Sequence, residues 1–190
     1  MWAWGARAVM RWCACLLLAV GRATVSGMVS GAGPAEPYDV VVFGGTSTGV
    51  MSAIGAANAS ATQRLRIALL VVGTTPVGGM TSGGLADVDA GDRGICGGFS
   101  REFFFRAGEV YTGARSFPKK GQECHVSQRI FEQMLAEVSD EVTVLRGVSR
   151  LSTQLAPDKR SIASLSVRDR TGKTLELAGK VFIDASCEPL

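Results

Sequence analysis

A glycine-rich turn between an apolar run and an alanine-rich segment constrains the fold of this chain more than any other feature. Tyr38–Phe43 is a continuous apolar run with β-branched residues, as expected of a buried parallel strand. The turn reads Gly-Gly-Thr-Ser-Thr-Gly over residues 44–49, and residues 50–58 carry small side chains on every face, which favours a helix packed closely on a sheet. Such a turn directs the free amides and the positive dipole end of the helix toward an anion. The sequence therefore predicts an anion-binding turn in an α/β domain.

Two kinds of phosphate-binding loop share this glycine spacing. A P-loop requires Lys and then Ser or Thr after the second glycine, but Val50 and Met51 stand there, which excludes an NTPase of that type. In a dinucleotide-binding turn Gly44 would make the tight turn and Gly49 would let helix and strand pack closely. Thr46 then takes the middle position, which is usually glycine. We interpret the turn as dinucleotide-binding.

The same residues also fit the Gly-x-Ser-x-Gly pattern of a nucleophile elbow, with Ser47 as the nucleophile. Chain order permits an acid at Asp87 or Asp89 and then His125, the only histidine in the sequence. However, Ser47 follows the first strand of the domain, so no upstream strand or loop would supply an oxyanion amide. A serine hydrolase that uses Ser47 stays open as an alternative.

Residues 65–72 form a second buried apolar run, which completes a strand–helix–strand unit. A dinucleotide fold normally ends this strand with Asp or Glu, whose carboxylate accepts hydrogen bonds from the adenosine ribose. That position is Val72, and no acidic residue occurs between Asp39 and Asp87. A lost charge-assisted hydrogen bond costs about 1.5–3 kcal/mol, roughly 10–100-fold in affinity. Together with Thr46 in the turn and the end of the chain at Leu190, it leads us to expect weak dinucleotide binding, on the order of micromolar or worse.

The rest of the chain predicts two more helices and a set of strands. Residues 78–98 are glycine-rich and without periodicity, whereas residues 99–111 and 126–138 have apolar side chains at helical spacing. Further strands are predicted at residues 141–145, 148–155, 161–169, 174–177 and 180–184. The fold class is α/β: a Rossmann-type FAD/NAD(P)-binding domain with a parallel sheet, helices on its faces and an antiparallel β-meander inserted before Lys180.

The distribution of charge excludes one class of partner. Three of the 20 Lys and Arg residues, Arg7, Arg11 and Arg22, precede the first acidic residue, so the rest of the chain carries 17 basic and 17 acidic residues. A nucleic-acid-binding domain needs a basic surface that displaces counterions. At 46% hydrophobic residues the chain is globular rather than disordered. We expect no nucleic-acid partner.

The first 27 residues have the order of a secretory signal peptide. Arg7 and Arg11 precede a nine-residue apolar run at 12–20, and small residues follow it. The run is shorter than the roughly 20 residues that span a bilayer, so we expect no stable membrane span. Residues 28–37 then read as a linker. The localisation predicted is the secretory pathway or extracellular space; an organellar transit peptide or a membrane anchor is the alternative.

Three cysteines remain after the leader, at Cys96, Cys124 and Cys187. Their number is odd and their spacing is wide, so neither a disulfide framework nor a zinc site is indicated, and we expect no bound metal. One disulfide with a leftover thiol and three reduced thiols both stay open.

A glycosylation sequon stands at the end of the predicted first helix. It is Asn58-Ala-Ser60, and Asn58 is the only asparagine in the chain. If the leader directs the chain into a eukaryotic secretory pathway, we expect modification at Asn58.

Five segments along the chain form a recognisable set. They are Tyr-Asp-Val-Val-Val-Phe-Gly-Gly-Thr-Ser-Thr-Gly at 38–49, Val-Gly-Gly-Met-Thr-Ser-Gly-Gly-Leu at 77–85, Gly-Gly-Phe-Ser-Arg-Glu-Phe at 97–103, Glu-Cys-His-Val at 123–126 and Val-Phe-Ile-Asp-Ala-Ser at 181–186. Together they resemble the FAD-dependent oxidoreductases related to fumarate reductase flavoprotein subunits and glutathione reductase. In that family Thr at the position of Thr46 is common.

The resemblance implies an FAD site built from several parts of the chain. The pyrophosphate would meet the first turn, residues 78–82 would run along the flavin and ribityl chain, and residue 148 would offer backbone to adenine. Residues 181–185 would return beneath the cofactor. The cofactor-binding residues expected are Gly44, Gly45, Thr46, Ser47, Thr48, Gly49, Val72, Gly78, Gly79, Met80, Thr81, Ser82, Val148 and Ala185. Ser100, Arg101, Glu102 and His125 would lie near the active side, without an assigned catalytic role.

The resemblance also implies an activity, in which the flavin takes hydride or electrons from a small organic substrate. Family members continue past the position of Leu190 with a segment that closes on the flavin and carries a substrate domain. We therefore expect residues 38–190 to be the N-terminal part of an FAD-binding domain, in a fragment or a truncated form. A non-catalytic remnant that binds a nucleotide or a partner is the third alternative.

Overall fold

The computed structural model describes residues 36–59, 63–85, 91–119 and 121–187. The expected signal peptide at 1–27 and nearly all of the linker at 28–37 lie outside these residues. Ser60 of the sequon and the two acids proposed for a hydrolase, Asp87 and Asp89, lie outside them as well.

A four-stranded parallel sheet forms the centre of the domain. Strand β1 (Tyr38–Phe43) leads into helix α1 (Ser47–Ala59), and β2 (Ile67–Val72) returns beside β1 in parallel. The outer positions are taken by β3 (Val142–Leu155) next to β2 and by β5 (Thr174–Asp184) next to β1, both parallel to their neighbours. The order β3-β2-β1-β5 confirms the Rossmann-type sheet, because helical crossovers join β1 to β2 and β2 to β3 and keep these strands parallel.

Strands β3 and β5 are long enough to belong to two sheets. Their inner portions pair with β2 and β1, and their outer portions pair with β4 (Ile162–Arg168) in an antiparallel sheet. The ladders therefore run β1-β2-β3-β4-β5 and close back on β1. The antiparallel meander was predicted correctly, but β4 is the one strand of it that does not also belong to the parallel sheet.

The sequence analysis divided β3 and β5 into two strands each, and both divisions were wrong. Residues 141–145 and 148–155 were expected as two strands, but β3 passes through Gly147, where φ is 71° and the pairing with β2 shifts register. Likewise, residues 174–177 and 180–184 form the single strand β5. A bulge at a glycine bends a strand without ending it, and this local irregularity looks like a strand boundary in sequence.

Two apolar cores lie on opposite faces of the parallel sheet. The helix-side core joins the sheet to the helices α1, α3 (Gly98–Thr112) and α4 (Cys124–Ala136), and it contains Phe103 and Phe131, whose rings stack at 4.5 Å. The second core lies between the two sheets and is formed by Val41, Phe43, Ala68, Leu70, Val148, Leu165, Val167 and Leu177. Alternate residues of β1 and β2 face these two cores, as the twofold periodicity of a strand requires.

Helices α3 and α4 confirm the two helical predictions of the sequence. The glycine-rich stretch between β2 and α3 is mostly irregular, as expected, but it contains a short helix α2 (Met80–Gly83) and a 3-10 turn at Arg93–Ile95. Within the described residues, no helix is both long and apolar enough to cross a bilayer.

Candidate dinucleotide site at the carboxyl end of the sheet

Thr46 starts helix α1 and leaves two amides of its first turn available. Its carbonyl accepts the N–H of Val50 at 2.9 Å, and its hydroxyl accepts the N–H of Gly49 at 3.2 Å, as an N-cap residue does. In the described structure the backbone N–H groups of Ser47 and Thr48 have no hydrogen-bond partner. Thr48 is exposed and Ser47 is half-buried, so these amides and both hydroxyls face the outside of the turn.

The three glycines of this turn are required by contacts within the protein. Gly44 has a φ of 115°, and a Cβ there would lie 2.5 Å from the backbone of Ala185. A Cβ at Gly45 would lie 2.7 Å from the side chain of Val71, and one at Gly49 would collide with the carbonyl oxygen of Gly44. The tight turn at Gly44 and the close helix–strand packing at Gly49 therefore occur as the sequence motif predicts.

A second glycine loop lies directly against the first. Gly78 donates its N–H to the carbonyl of Gly45 at 2.8 Å, and Thr46 and Gly78 form an isolated parallel bridge. Gly78 (φ 98°) is covered by Phe131, and Gly79 (φ 57°) lies against Thr46, with 3.1 Å from an added Cβ to Thr46 Cα. The predicted segment 78–82 is thus placed beside residues 44–49, where one ligand can touch both.

A cleft of about 510 Å³ opens next to these two loops. One part of its wall carries hydroxyl groups, from Ser47, Thr48, Thr81 and Ser100, and the other part is aromatic. Its lining is Ser47, Thr48, Met51, Ser52, Thr81, Ser100, Phe103, Phe104 and Phe131. A volume of this order holds a flat ligand of drug or cofactor size. Sequence reasoning placed Ser47, Thr48, Thr81 and Ser100 here; it missed the aromatic wall, because helical spacing marks Phe103 and Phe131 as core.

Val72 and Val148 lie apart from this cleft lining: Val72 ends β2, and Val148 is the last residue of β3 that pairs with β2. The two residues are paired in register, and the N–H of Gly73 donates to the carbonyl of Val148 at 2.9 Å. Strand β2 ends at Val72, as the sequence predicts, whereas Val148 lies inside β3 rather than after a strand. Val148 is 1% exposed, so its side chain is buried.

The charged residues of α3 are engaged in structural contacts. Glu102 accepts hydrogen bonds from Arg106 at 2.8 Å and from Arg115 at 2.5 Å, and Arg106 also binds Glu137. Burial works to raise the pKa of Glu102, but the bonds from Arg115 and Arg106 outweigh it and hold that pKa below its ordinary value. Arg101 lies over the ring of Phe105 at 4.7 Å. These contacts fix α3 rather than present reactive groups.

The geometry does not assemble a hydrolase triad among the described residues. His125 is an exposed residue of α4 whose Nε2 lies 3.8 Å from Glu123 Oε2, and it is not part of the cleft wall that contains Ser47. The described residues also hold no group of three His, Cys, Asp or Glu side chains suited to a metal. Cys96, Cys124 and Cys187 are free thiols in this structure.

The chemistry of the site fits the pyrophosphate of a dinucleotide. Ser47 and Thr48 provide two backbone N–H groups at the positive end of a 13-residue helix. The second glycine loop and the cleft lie beside this helix start. A fold with this crossover at the carboxyl edge of a parallel sheet binds its ligand at that edge. The fold and the site therefore define a dinucleotide-binding domain.

The chain belongs to the FAD-dependent oxidoreductases: residues 39–188 match the family described as FAD dependent oxidoreductase. No match was found among curated protein sequences.

Solved structures share the fold over most of the chain. The FAD complex of glycerol-3-phosphate dehydrogenase from Bacillus halodurans is 13% identical with a TM-score of 0.53, and the match covers 80% of this chain and 34% of that one. Oxidized steroid monooxygenase bound to NADP is 16% identical with a TM-score of 0.50, covering 80% of this chain and 26% of that one. The chain thus spans about a third or less of these enzymes, and the likeness shows the fold alone.

Proposed function

We propose that residues 38–187 form the FAD-binding part of an oxidoreductase that acts on a small organic substrate. The observation that carries the proposal is the exposed start of α1, where the amides and hydroxyls of Ser47 and Thr48 face outward beside the loop of Gly78 and Gly79. Because the chain belongs to the FAD-dependent oxidoreductases, FAD is the dinucleotide that we assign to this site. When bound, FAD supplies the acceptor for a hydride or a pair of electrons.

Three groups of residues bind different parts of the cofactor. Ser47 and Thr48 donate hydrogen bonds to the pyrophosphate, which the helix dipole also attracts. Thr81 and Ser100 provide hydroxyls along the cleft, and the rings of Phe103 and Phe131 exclude water from its floor. The end of β2 at Val72 and the paired residue of β3, Val148, receive the adenosine. No residue of the chain is assigned a proton-transfer role.

The test removes one amide without disturbing the helix. Proline is well tolerated at the first helical position, which is Ser47, and it lacks the N–H group. We expect Ser47→Pro to weaken FAD binding roughly tenfold, because one hydrogen bond to a charged group is lost. Ser47→Ala, which removes only the hydroxyl, is the matched control and should have the smaller effect.

The measurement is quenching of FAD fluorescence on titration with each variant, with circular dichroism to show that the fold is retained. Equal affinity for FAD in the wild-type chain and in Ser47→Pro would place the cofactor elsewhere. A wild-type chain that binds no FAD at millimolar concentrations would contradict the proposal as a whole.

We also propose the secretory pathway as the location of the protein. This proposal is supported only by the order of charged, apolar and small residues in the first 27 positions. Recovery of the chain from the medium or the secretory organelles of expressing cells, shortened at its N-terminus, is the expected result.

A further inference from the structure

The second glycine loop has no side chain of its own at Gly78 and Gly79 to hold it in place. These two residues adopt positive φ angles of 98° and 57°, and consecutive glycines have more backbone freedom than other residues. The loop is joined to the first turn, because Gly78 donates its N–H to the carbonyl of Gly45 and forms a bridge with Thr46. Its position therefore depends on what else packs against its backbone.

The ring of Phe131 packs against this backbone from below the cleft. A Cβ at Gly78 would collide with the ring of Phe131 and with the Oγ of Ser82, so both side chains lie directly against Gly78. Both are buried, and within the described residues the Oγ of Ser82 has no hydrogen-bond partner, so it does not tie the loop down by a hydrogen bond. The aromatic ring is therefore the contact that holds Gly78 on this side.

Phe131 is itself held between two helices. Its ring stacks on Phe103 of α3 with 4.5 Å between the ring centroids, and Phe131 is 1% exposed. A hydrogen bond of 2.6 Å from Arg106 to Glu137 joins the same two helices beyond the last residue of α4. Side chains in a close-packed core have little room to shift. A change of side-chain shape at position 131 should therefore move the glycine loop rather than the helices.

We propose that Phe131 is a positioning residue, which sets the place of the second glycine loop and through it the affinity for the flavin half of FAD. The inference rests on the proposed function, in which the pyrophosphate lies at Ser47 and Thr48. Adenosine diphosphate would then use the first turn without the second loop, whereas FAD would extend from the first turn along the second loop. Phe131 should therefore distinguish these two ligands.

The test compares the affinities of the full chain for FAD and for adenosine diphosphate by calorimetry. In the wild type we expect FAD to bind more tightly, because it alone reaches the second loop. Phe131→Leu keeps an apolar side chain but loses the flat ring that covers Gly78. We expect its affinity for FAD to fall roughly tenfold, about the effect of one lost hydrogen bond, and its affinity for adenosine diphosphate to stay within about twofold. The visible circular dichroism of bound FAD should change as well.

Two control variants separate the position of the loop from other effects. Ile130→Val alters the same buried core of α4 away from the cleft lining, so it should not change the ratio of the two affinities. Phe103→Leu alters the aromatic wall of the cleft without uncovering Gly78, so it should weaken FAD binding less than Phe131→Leu does. Phe131→Met also removes the ring, and it provides a second test if circular dichroism shows that Phe131→Leu does not fold.

Several results would overturn the role of Phe131. They are an equal loss of affinity for both ligands, an equal loss in Ile130→Val or Phe103→Leu, and an unchanged affinity for FAD. A wild-type chain that binds FAD no more tightly than adenosine diphosphate would overturn it too. If both ligands bind and Ser47→Pro weakens both, the proposed function stands whatever the Phe131 variants do. If neither ligand binds, both proposals fail together.

Discussion

The hydroxyl of Thr46 donates a 2.7 Å hydrogen bond to the carbonyl of Ala185, 139 residues further along the chain. The same hydroxyl accepts the N–H of Gly49, so one side chain both caps α1 and joins it to the end of β5. Glycine at this position, which dinucleotide turns usually have, would provide neither contact. Thr46 is therefore a structural part of the turn rather than a defect in its motif.

We expect Thr46→Val to destabilise the domain by about 1–2 kcal/mol, because it keeps the shape of the side chain and loses both hydrogen bonds. Thr46→Ser keeps the hydroxyl and should cost less than half as much. Urea unfolding followed by circular dichroism measures both differences. Equal stability of the Val and Ser variants would show that the hydroxyl of Thr46 contributes nothing to the fold.

The close approach of Gly44 to Ala185 gives a second prediction about the turn. Gly44→Ala forces a Cβ into the backbone of Ala185, in addition to the strain of a positive φ. Gly84 has a φ of 149° but has open space around it, so Gly84→Ala isolates the backbone strain.

We therefore expect Gly44→Ala to be less stable than Gly84→Ala by roughly 1–3 kcal/mol, the usual cost of overpacking. Thermal unfolding of the two variants provides the measurement. Similar melting temperatures would mean that β5 moves away from the turn at little cost.

Much of this fold could be predicted from the sequence, because its strands are local apolar runs and its turn is a local glycine pattern. The places of Val72 and of the turn from Gly44 to Gly49 follow from the ends of two continuous apolar runs and from the glycine spacing. The continuity of β3 through Gly147 could not be predicted, because it depends on pairing with β2 on one side and β4 on the other. The contact of the Arg170 side chain with Gly147 was missed for the same reason, because it joins two distant segments and leaves no periodic signal.

The contacts of Glu102 predict a pH dependence of stability. Hydrogen bonds from Arg115 and Arg106 keep its pKa below the ordinary value in the folded state. Its contribution is therefore present in full above about pH 4.3, the pKa of an unfolded glutamate, and is lost as the pH falls through the lower folded pKa.

We expect Glu102→Gln to be less stable than the wild type by about 1 kcal/mol at pH 7. This difference should shrink toward zero below about pH 4. Glu109→Gln, which removes a more exposed partner of Arg115 at 3.6 Å, should change stability little at any pH. Urea unfolding at a series of pH values measures these differences, and a gap for Glu102→Gln that is constant with pH would contradict the assignment.

The position of Asn58 predicts when its sequon is modified. The side chain is exposed in the last turn of α1, where its Nδ2 donates to the carbonyl of Ile54 at 2.9 Å. This bond engages the nitrogen that a glycan would join, so modification should occur before α1 is folded. In a eukaryotic secretory pathway we expect a glycosidase-sensitive mass shift that Asn58→Gln abolishes. A secreted wild-type chain without the mass shift would contradict the prediction.

An acid at the end of β2 should strengthen binding at the adenosine end. Val72→Glu places a carboxylate at the position that normally accepts the ribose hydroxyls, so FAD binding should tighten roughly 10–100-fold. Val72→Gln has a similar shape without the charge, so it should tighten FAD binding less. Calorimetric titration of FAD into each variant measures the change. If FAD affinity does not rise in Val72→Glu, the ribose does not lie at the end of β2, and the cofactor is oriented differently in this domain.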